Sequence, residues 1–316
     1  MRWMMGLMAV AFAATVSAAP LKIENKVVQA KSAAYEIKAA YPRTGIKAID
    51  DELAGWVERE VDAFRKGTAP GPDPGAAAWT LDIGYTVERN DAQMLSLLFH
   101  RSMYTGGAHG GYGLNVYNFL LPDGARVDLP QVLDGNKALA KVSDLVIADL
   151  DKRLVTPDGI GDVDWIKRGA GPQWGNYTNV VLLADALKIE FEPYEVAPWA
   201  AGPQEVRVPL AALSGLLRKD WRAPVASFDC AKATTAIEKA VCGDAALARL
   251  DREVAQAYGQ RLGQIEAATD RDAMREKQRR WLGRRDAACS DQSGAALDAC
   301  LTGVYRTRLD EISPDP

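Results

Sequence analysis

The first cysteine of the chain is residue 230, and Cys242, Cys289 and Cys300 complete the set. A chain of 316 residues that confines its cysteines in this way holds one segment that needs covalent help and a longer one that does not. Whether the thiols pair depends on the compartment, because disulfides persist where the surroundings are oxidising. The N-terminus speaks to that. MRWMMGLMAVAFAATVSAA has one early charge at Arg2, an apolar run from Met4 to Val16 and small residues ahead of Pro20, the layout of a secretory signal peptide. Val16 and Ala18 suit the small-residue rule, so cleavage is expected after Ala18, with residues 1–18 removed. The apolar run is shorter than the roughly 20 residues a membrane-crossing helix needs, so no anchor is expected after cleavage. A periplasmic or secreted location follows.

Four cysteines allow three pairings, and spacing alone does not choose among them. The favoured one joins Cys230 to Cys242 and Cys289 to Cys300, each closing a short local loop. Zinc is the competing use of four cysteines, but its ligands sit closer together, and both histidines, His100 and His109, lie in the other part of the chain. No metal and no cofactor is implied. The formal charge of −4 argues against nucleic acid and mildly favours a basic partner.

From Leu21 to about Ala223 the pattern is mixed. AYEIKAAYP and WTLDIGYTVE alternate as half-buried strands do, and MLSLLFHRSMY reads as a strand from a sheet interior. Between them Ile46, Ile49, Leu53, Trp56, Val57, Val61 and Phe64 recur at helical spacing. Residues 136–153 read as a helix, and ALKIEFEPYEVAP and QEVRVPL as the last strands. The expected fold is an α+β domain over residues 19–224, an antiparallel sheet with packed helices. A small disulfide-stapled all-α domain over residues 225–316 follows it. In the second part Thr235 and Glu238 match a capping box, Asp244 and Asp270 are expected to cap the next two helices, and Leu297, Leu301, Val304, Arg308 and Ile312 form the last helical stripe. A helical unit of this size is marginal by itself, which is where staples contribute most.

Two stretches stand out as partner-binding candidates. YTGGAHGGYGLNVYNF, residues 104–119, holds five glycines beside Tyr104, His109 and Tyr112. Gly106 and Gly107 can take positive φ, which suits a loop displayed for recognition as well as a plain turn between strands. REKQRRWLGRRD, residues 275–286, sets basic residues around Trp281, with Arg285 one helical turn on. A solvated helix face is the more ordinary reading of such a run. A catalytic His109 finds no support, since the chain has no G-x-S-x-G elbow and its cysteines are expected to be paired. No enzymatic role is expected.

Both parts resemble known families. FDCAKATTAIEKAVCGDAALARLD, QRRWLGRRDAAC and ACLTGVYRTRLDEI resemble the LprI-type lysozyme inhibitor domain over residues 228–312, with Trp281, Arg285, Asp286, Tyr305 and Arg308 in place. RDAAC departs by one extra residue before Cys289 in some versions of the pattern. YTGGAHGGYGLNVYNFLLPDGARVDLPQVL and IEFEPYEVAPWAAGPQEVRVPL are similar to the lysozyme-binding ectodomain of the anti-sigma factor RsiV and to the non-catalytic region of the deacetylase PdaC, over residues 30–218. The resemblance implies lysozyme as the protein partner and an exported envelope protein that sequesters or inhibits it. Peptidoglycan or another polysaccharide is the alternative partner, with Trp56, Trp79, Trp165, Trp174 or Trp199 as stacking platforms.

Overall fold

The computed structural model describes residues 19–68, 71–72, 76–265 and 267–312. The expected signal peptide lies outside the described residues. Six strands form the first sheet in chain order: β1 (Glu24–Lys31), β2 (Tyr35–Arg43), β3 (Trp79–Asn90), β4 (Met94–Tyr104), β5 (Gly111–Leu120) and β6 (Ala125–Arg126). Every pairing is antiparallel except β2 with β3. The expected antiparallel sheet is therefore mixed. The reason is α1 (Lys47–Gly67), which lies between those two strands and returns the chain to the end where it began. Asp50 holds the entry to α1, accepting from the Thr44 N–H at 2.7 Å, the Thr44 hydroxyl at 2.9 Å and the Gly45 N–H at 3.1 Å.

The predicted face of α1 packs on this sheet. Ile49, Leu53, Trp56, Val57, Val61 and Phe64 meet Ile37, Leu81, Ile83, Leu95, Leu97, Phe99, Tyr117 and Phe119. Alternate residues of β4 and β5 look the other way, toward a second, antiparallel sheet of β7 (Val180–Leu182), β8 (Ala186–Phe191) and β9 (Gln204–Pro209). Leu98 and Val116 pack there with Val181, Leu183 and Ala186. That two-sided burial is why MLSLLF is buried throughout, with Ser96 its one polar residue, instead of alternating. The Asn118 side chain donates to the Val180 carbonyl and accepts from the Leu182 N–H, both at 2.9 Å. The Ser96 hydroxyl donates to the Leu182 carbonyl at 3.1 Å. On the far side of the second sheet lie α2 (Leu129–Val132), α3 (Gly135–Leu154) and α4 (Val163–Gly169), with Leu139, Val142, Val146, Leu150 and Ile166 against Leu187, Ile189, Phe191 and Val208. Arg153 of α3 donates to the Glu205 carbonyl of β9 at 3.0 Å.

Residues 214–229 carry no helix or strand beyond one isolated bridge, Leu217 with Leu133, and the boundary expected at Pro224 falls among them. The rest is helical: α5 (Ala236–Gly243), α6 (Ala245–Gln264), α7 (Ala268–Cys289) and α8 (Gly294–Ile312). Thr235 and Glu238 form the capping box of α5, and the Thr235 and Thr234 N–H groups hold the Glu238 carboxyl down to about 2. Asp244 caps α6 by accepting from the Leu247 N–H at 2.8 Å. Asp270 does not cap α7, which begins two residues earlier. It sits in the first turn, where a carboxylate complements the helix dipole. The disulfides join Cys230 to Cys242 and Cys289 to Cys300 with Cα atoms 5.7 and 5.9 Å apart, one across α5 and one between α7 and α8. Among the described residues no helix is long and apolar enough to cross a membrane.

Candidate functional site

The glycine-rich stretch is the tip of the β4–β5 hairpin, and residues 105–109 are exposed. Gly106 and Gly107 have φ of +94° and +99°, a region that side chains with a Cβ rarely adopt. Tyr104, 37% exposed, donates its hydroxyl to the Gly107 carbonyl at 3.3 Å. His109 Nδ1 lies 2.9 Å from the Gly110 carbonyl. A carbonyl only accepts, so Nδ1 carries the proton there.

His109 is not held by the hairpin alone. Its ring stacks on Trp199, with centroids 4.4 Å apart and planes 20° from parallel. Tyr194 lies 5.9 Å from the same indole, 53% exposed and at φ +75°. The Trp165 indole N–H donates to the Tyr194 carbonyl at 3.0 Å. Gly169 permits the close packing of α4 here, because a Cβ on it would stand 1.9 Å from the Glu195 carbonyl oxygen. The Leu114 N–H donates to Glu192 at 2.7 Å and ties β5 to the same connection. Three segments distant in sequence therefore present one aromatic face: the hairpin tip, α4 and the β8–β9 connection. Rigid aromatics with a wet edge are what a protein or sugar partner can bury at small entropic cost.

Tyr112 stands apart from this face. It is half-buried, its hydroxyl 3.1 Å from His100 Nδ1, and burial raises its pKa. Sequence reasoning named Trp165 and Trp199 only as sugar platforms and passed over Tyr194. The signal was the run PYEVAPWAAG, whose two aromatics flank a tight turn. Trp56 is a core residue, and Trp79 packs against that core.

Trp281 and Arg285 lie inside the helical part. They are 4% and 8% exposed, and their four-residue spacing points both into the helical core. Arg285 donates to the Tyr305 hydroxyl at 2.9 Å, Tyr305 donates to Asp251 at 3.0 Å, and Asp251 accepts from the Ser227 N–H at 2.8 Å. Arg308 lies over the Trp281 ring at 5.5 Å and donates to Gln278 at 2.8 Å. The residues that carry the sequence pattern of this part thus build its interior. Arg279 and Arg280 stay on the surface and pair with Glu276, at 3.3 and 3.5 Å, as on an ordinary solvated helix. Among the described residues no group of three His, Cys, Asp or Glu could hold a metal ion.

Three family models match along the chain: Deacetylase PdaC over residues 28–112, a protein of unknown function (DUF3298) over residues 132–211, and Lysozyme inhibitor LprI over residues 230–312. The order is the one the sequence led us to expect. The aromatic face draws His109 from the PdaC match and Trp165, Tyr194 and Trp199 from the DUF3298 match, so neither region forms it alone. A curated relative is the peptidoglycan-N-acetylmuramic acid deacetylase PdaC of Bacillus subtilis (strain 168), 23% identical over 183 residues, or 57% of this chain. The match spans 38% of that relative's length. Two solved structures are similar in part. A DUF3298 family protein from Pseudomonas aeruginosa PAO1 has a TM-score of 0.49 at 15% identity, and a DUF3298 member from Bacteroides fragilis NCTC 9343 has 0.45 at 17%. Each covers 64% of this chain and 96% of its own.

Proposed function

We propose that this is an exported, non-enzymatic protein of the cell envelope that binds and inhibits lysozyme. The observation that carries the reading is the LprI match over residues 230–312. Two disulfides suit an oxidising compartment, in keeping with a periplasmic or secreted location. An inhibitor must cover a saccharide cleft with an interface of roughly 1,600 Å² built around a few rigid anchors. The face of His109, Tyr194 and Trp199, with Tyr104, Gly106 and Gly107 at its tip, offers such anchors. The acidic balance of the chain raises encounter rates with a basic enzyme.

The half-buried Trp165 and Trp199 also favour a second reading, a peptidoglycan- or polysaccharide-binding protein without inhibitory activity, in which they stack on sugar rings. One experiment separates the two. The purified chain, processed as secreted, is titrated into a lysozyme assay that uses a soluble oligosaccharide substrate, beside a sedimentation assay on purified peptidoglycan. Loss of lysozyme activity with no retention on peptidoglycan supports the first reading. Retention with full lysozyme activity replaces it with the second.

A further inference from the structure

A cavity of about 840 Å³ opens between α6 and the chain around β6, α2 and residues 173–180, within the size range of small-molecule sites, roughly 300 to 1,000 Å³. None of the four aromatic-face residues lines it, and its lining has a distinct chemistry. One wall is α6, which contributes Arg252, Gln256, Gly259 and Gln260. The opposite wall holds Trp174, Asn136 and Arg218. The Trp174 indole N–H donates to Asn136 at 3.0 Å, which fixes the ring at the cavity's side.

The cationic groups are the unusual part. Arg252 bonds Asp128 through Nη2, yet its Nε and Nη1 have no hydrogen-bond partner among the described residues, nor do Nε of Arg218 and Oδ1 of Asp128. Buried donors of this kind are rare, and each marks a place where an acceptor belongs. Of the three arginines in the lining, Arg126 pairs with Glu52 at 2.8 Å and Arg252 with Asp128, which leaves Arg218 without an acidic partner among the described residues.

We propose that this cavity binds a carboxylate-bearing saccharide of one or two rings. The arginines suit a carboxylate, which they can hold through two parallel N–H donors. A fixed indole suits the apolar face of a pyranose. The side-chain amides of Asn136, Gln256 and Gln260 offer donors and acceptors together, as sugar hydroxyls and acetamido groups require. An inorganic anion engages the arginines but leaves the indole and most of the volume without a role. A fatty acid fills the apolar parts but leaves the amides unmatched. The site stands or falls separately from lysozyme binding.

Calorimetric titration of the full chain tests this with two acids, N-acetylmuramic acid and glucuronic acid, each beside its neutral counterpart, N-acetylglucosamine and glucose. We expect saturable binding of at least one acid, weaker by about tenfold or more for its neutral counterpart; which acid binds distinguishes an amino-sugar source from a uronic one. Gly259→Phe, at an exposed position of the α6 lining, sets a ring at the cavity mouth and weakens binding, with thermal melts showing the fold retained. Gln256→Ala is a milder change on the same wall and weakens binding. Arg252→Gln removes the preference for acid over neutral sugar. Equal binding of acid and neutral forms, no binding of either acid, or unaltered binding in a folded Gly259→Phe protein each overturns the proposal.

Discussion

The His109 imidazole lies flat against the Trp199 indole, 4.4 Å between ring centroids, and so joins the tip of one hairpin to the connection between two strands of another sheet. Each ring limits where the other can go. If this pair anchors lysozyme, Trp199→Ala should weaken binding by about 2 kcal/mol, the scale of a central interface aromatic. His109→Ala should weaken it less. Neither ring belongs to a buried core cluster, so thermal melts of both variants should stay close to wild type. Calorimetry beside those melts decides, and wild-type affinity in both folded variants moves the partner face elsewhere.

The disulfides give the second prediction. Each closes a short loop, and the chain-entropy relation assigns about 3 kcal/mol to a loop of that size. Replacing Cys289 and Cys300 by alanine should lower the unfolding midpoint of the helical part in urea, followed by circular dichroism. The sheets contain no cysteine, and their near-ultraviolet signal should persist under reduction. Simultaneous loss of both signals on reduction would show that the sheets depend on the staples.

Tyr305 sits between opposite charges, accepting from Arg285 and donating to Asp251, and its ring lies 5.7 Å from that of Trp281. Burial and the nearby Asp251 carboxylate push its pKa well above the usual tyrosine value. Tyr305→Phe keeps the ring but strands a guanidinium donor and a carboxylate oxygen in the core. A loss of about 1–3 kcal/mol is expected, read by denaturant unfolding. Lysozyme inhibition should persist wherever the variant is folded, because this residue is interior. A folded variant that had lost inhibition would place the network at the partner surface after all.

Glu52 supplies the pH dependence. Burial by itself raises its pKa, but Arg126, 2.8 Å away, and Arg249 of α6 outweigh that and hold it below its ordinary value of 4.5. A carboxyl depressed in the folded state contributes stability that is complete above the ordinary value and is lost as pH falls through the depressed one. Glu52→Gln should therefore lower the melting temperature at neutral pH, and the gap from wild type should close on acidification below about 4.5. A gap constant with pH would show that the carboxylate charge contributes nothing there.

Local structure was the legible part. The apolar stripe of α1, the capping box at Thr235 and the pairing of the cysteines all rest on residues close in sequence, where spacing maps directly onto geometry. The direction of β2 against β3 was also available, since a helix between two neighbouring strands makes them parallel, but alternation alone says nothing of direction. The burial of Trp281 and Arg285 was not legible because their helix is so highly charged that its buried side, Trp281, Arg285 and Cys289, is only one residue wide per turn. The contacts that make the candidate site, His109 with Trp199 and Trp165 with Tyr194, span 90 and 29 residues and leave no periodic trace.

The side chains of Asn118 and Ser96 occupy the outer backbone groups of β7, and Arg153 does the same at Glu205 on β9. Hydrogen-bonding positions that would otherwise invite a foreign strand are taken along β7, and one of them, the Glu205 carbonyl, on β9. β1, at one border of the larger sheet, carries Glu24, Lys26 and Lys31, and the strand at the other border, β6, has two residues. If the protein is exported as proposed, this is resistance to strand invasion by other chains. Partners must be met through rings and loops, and fibrils find little to extend.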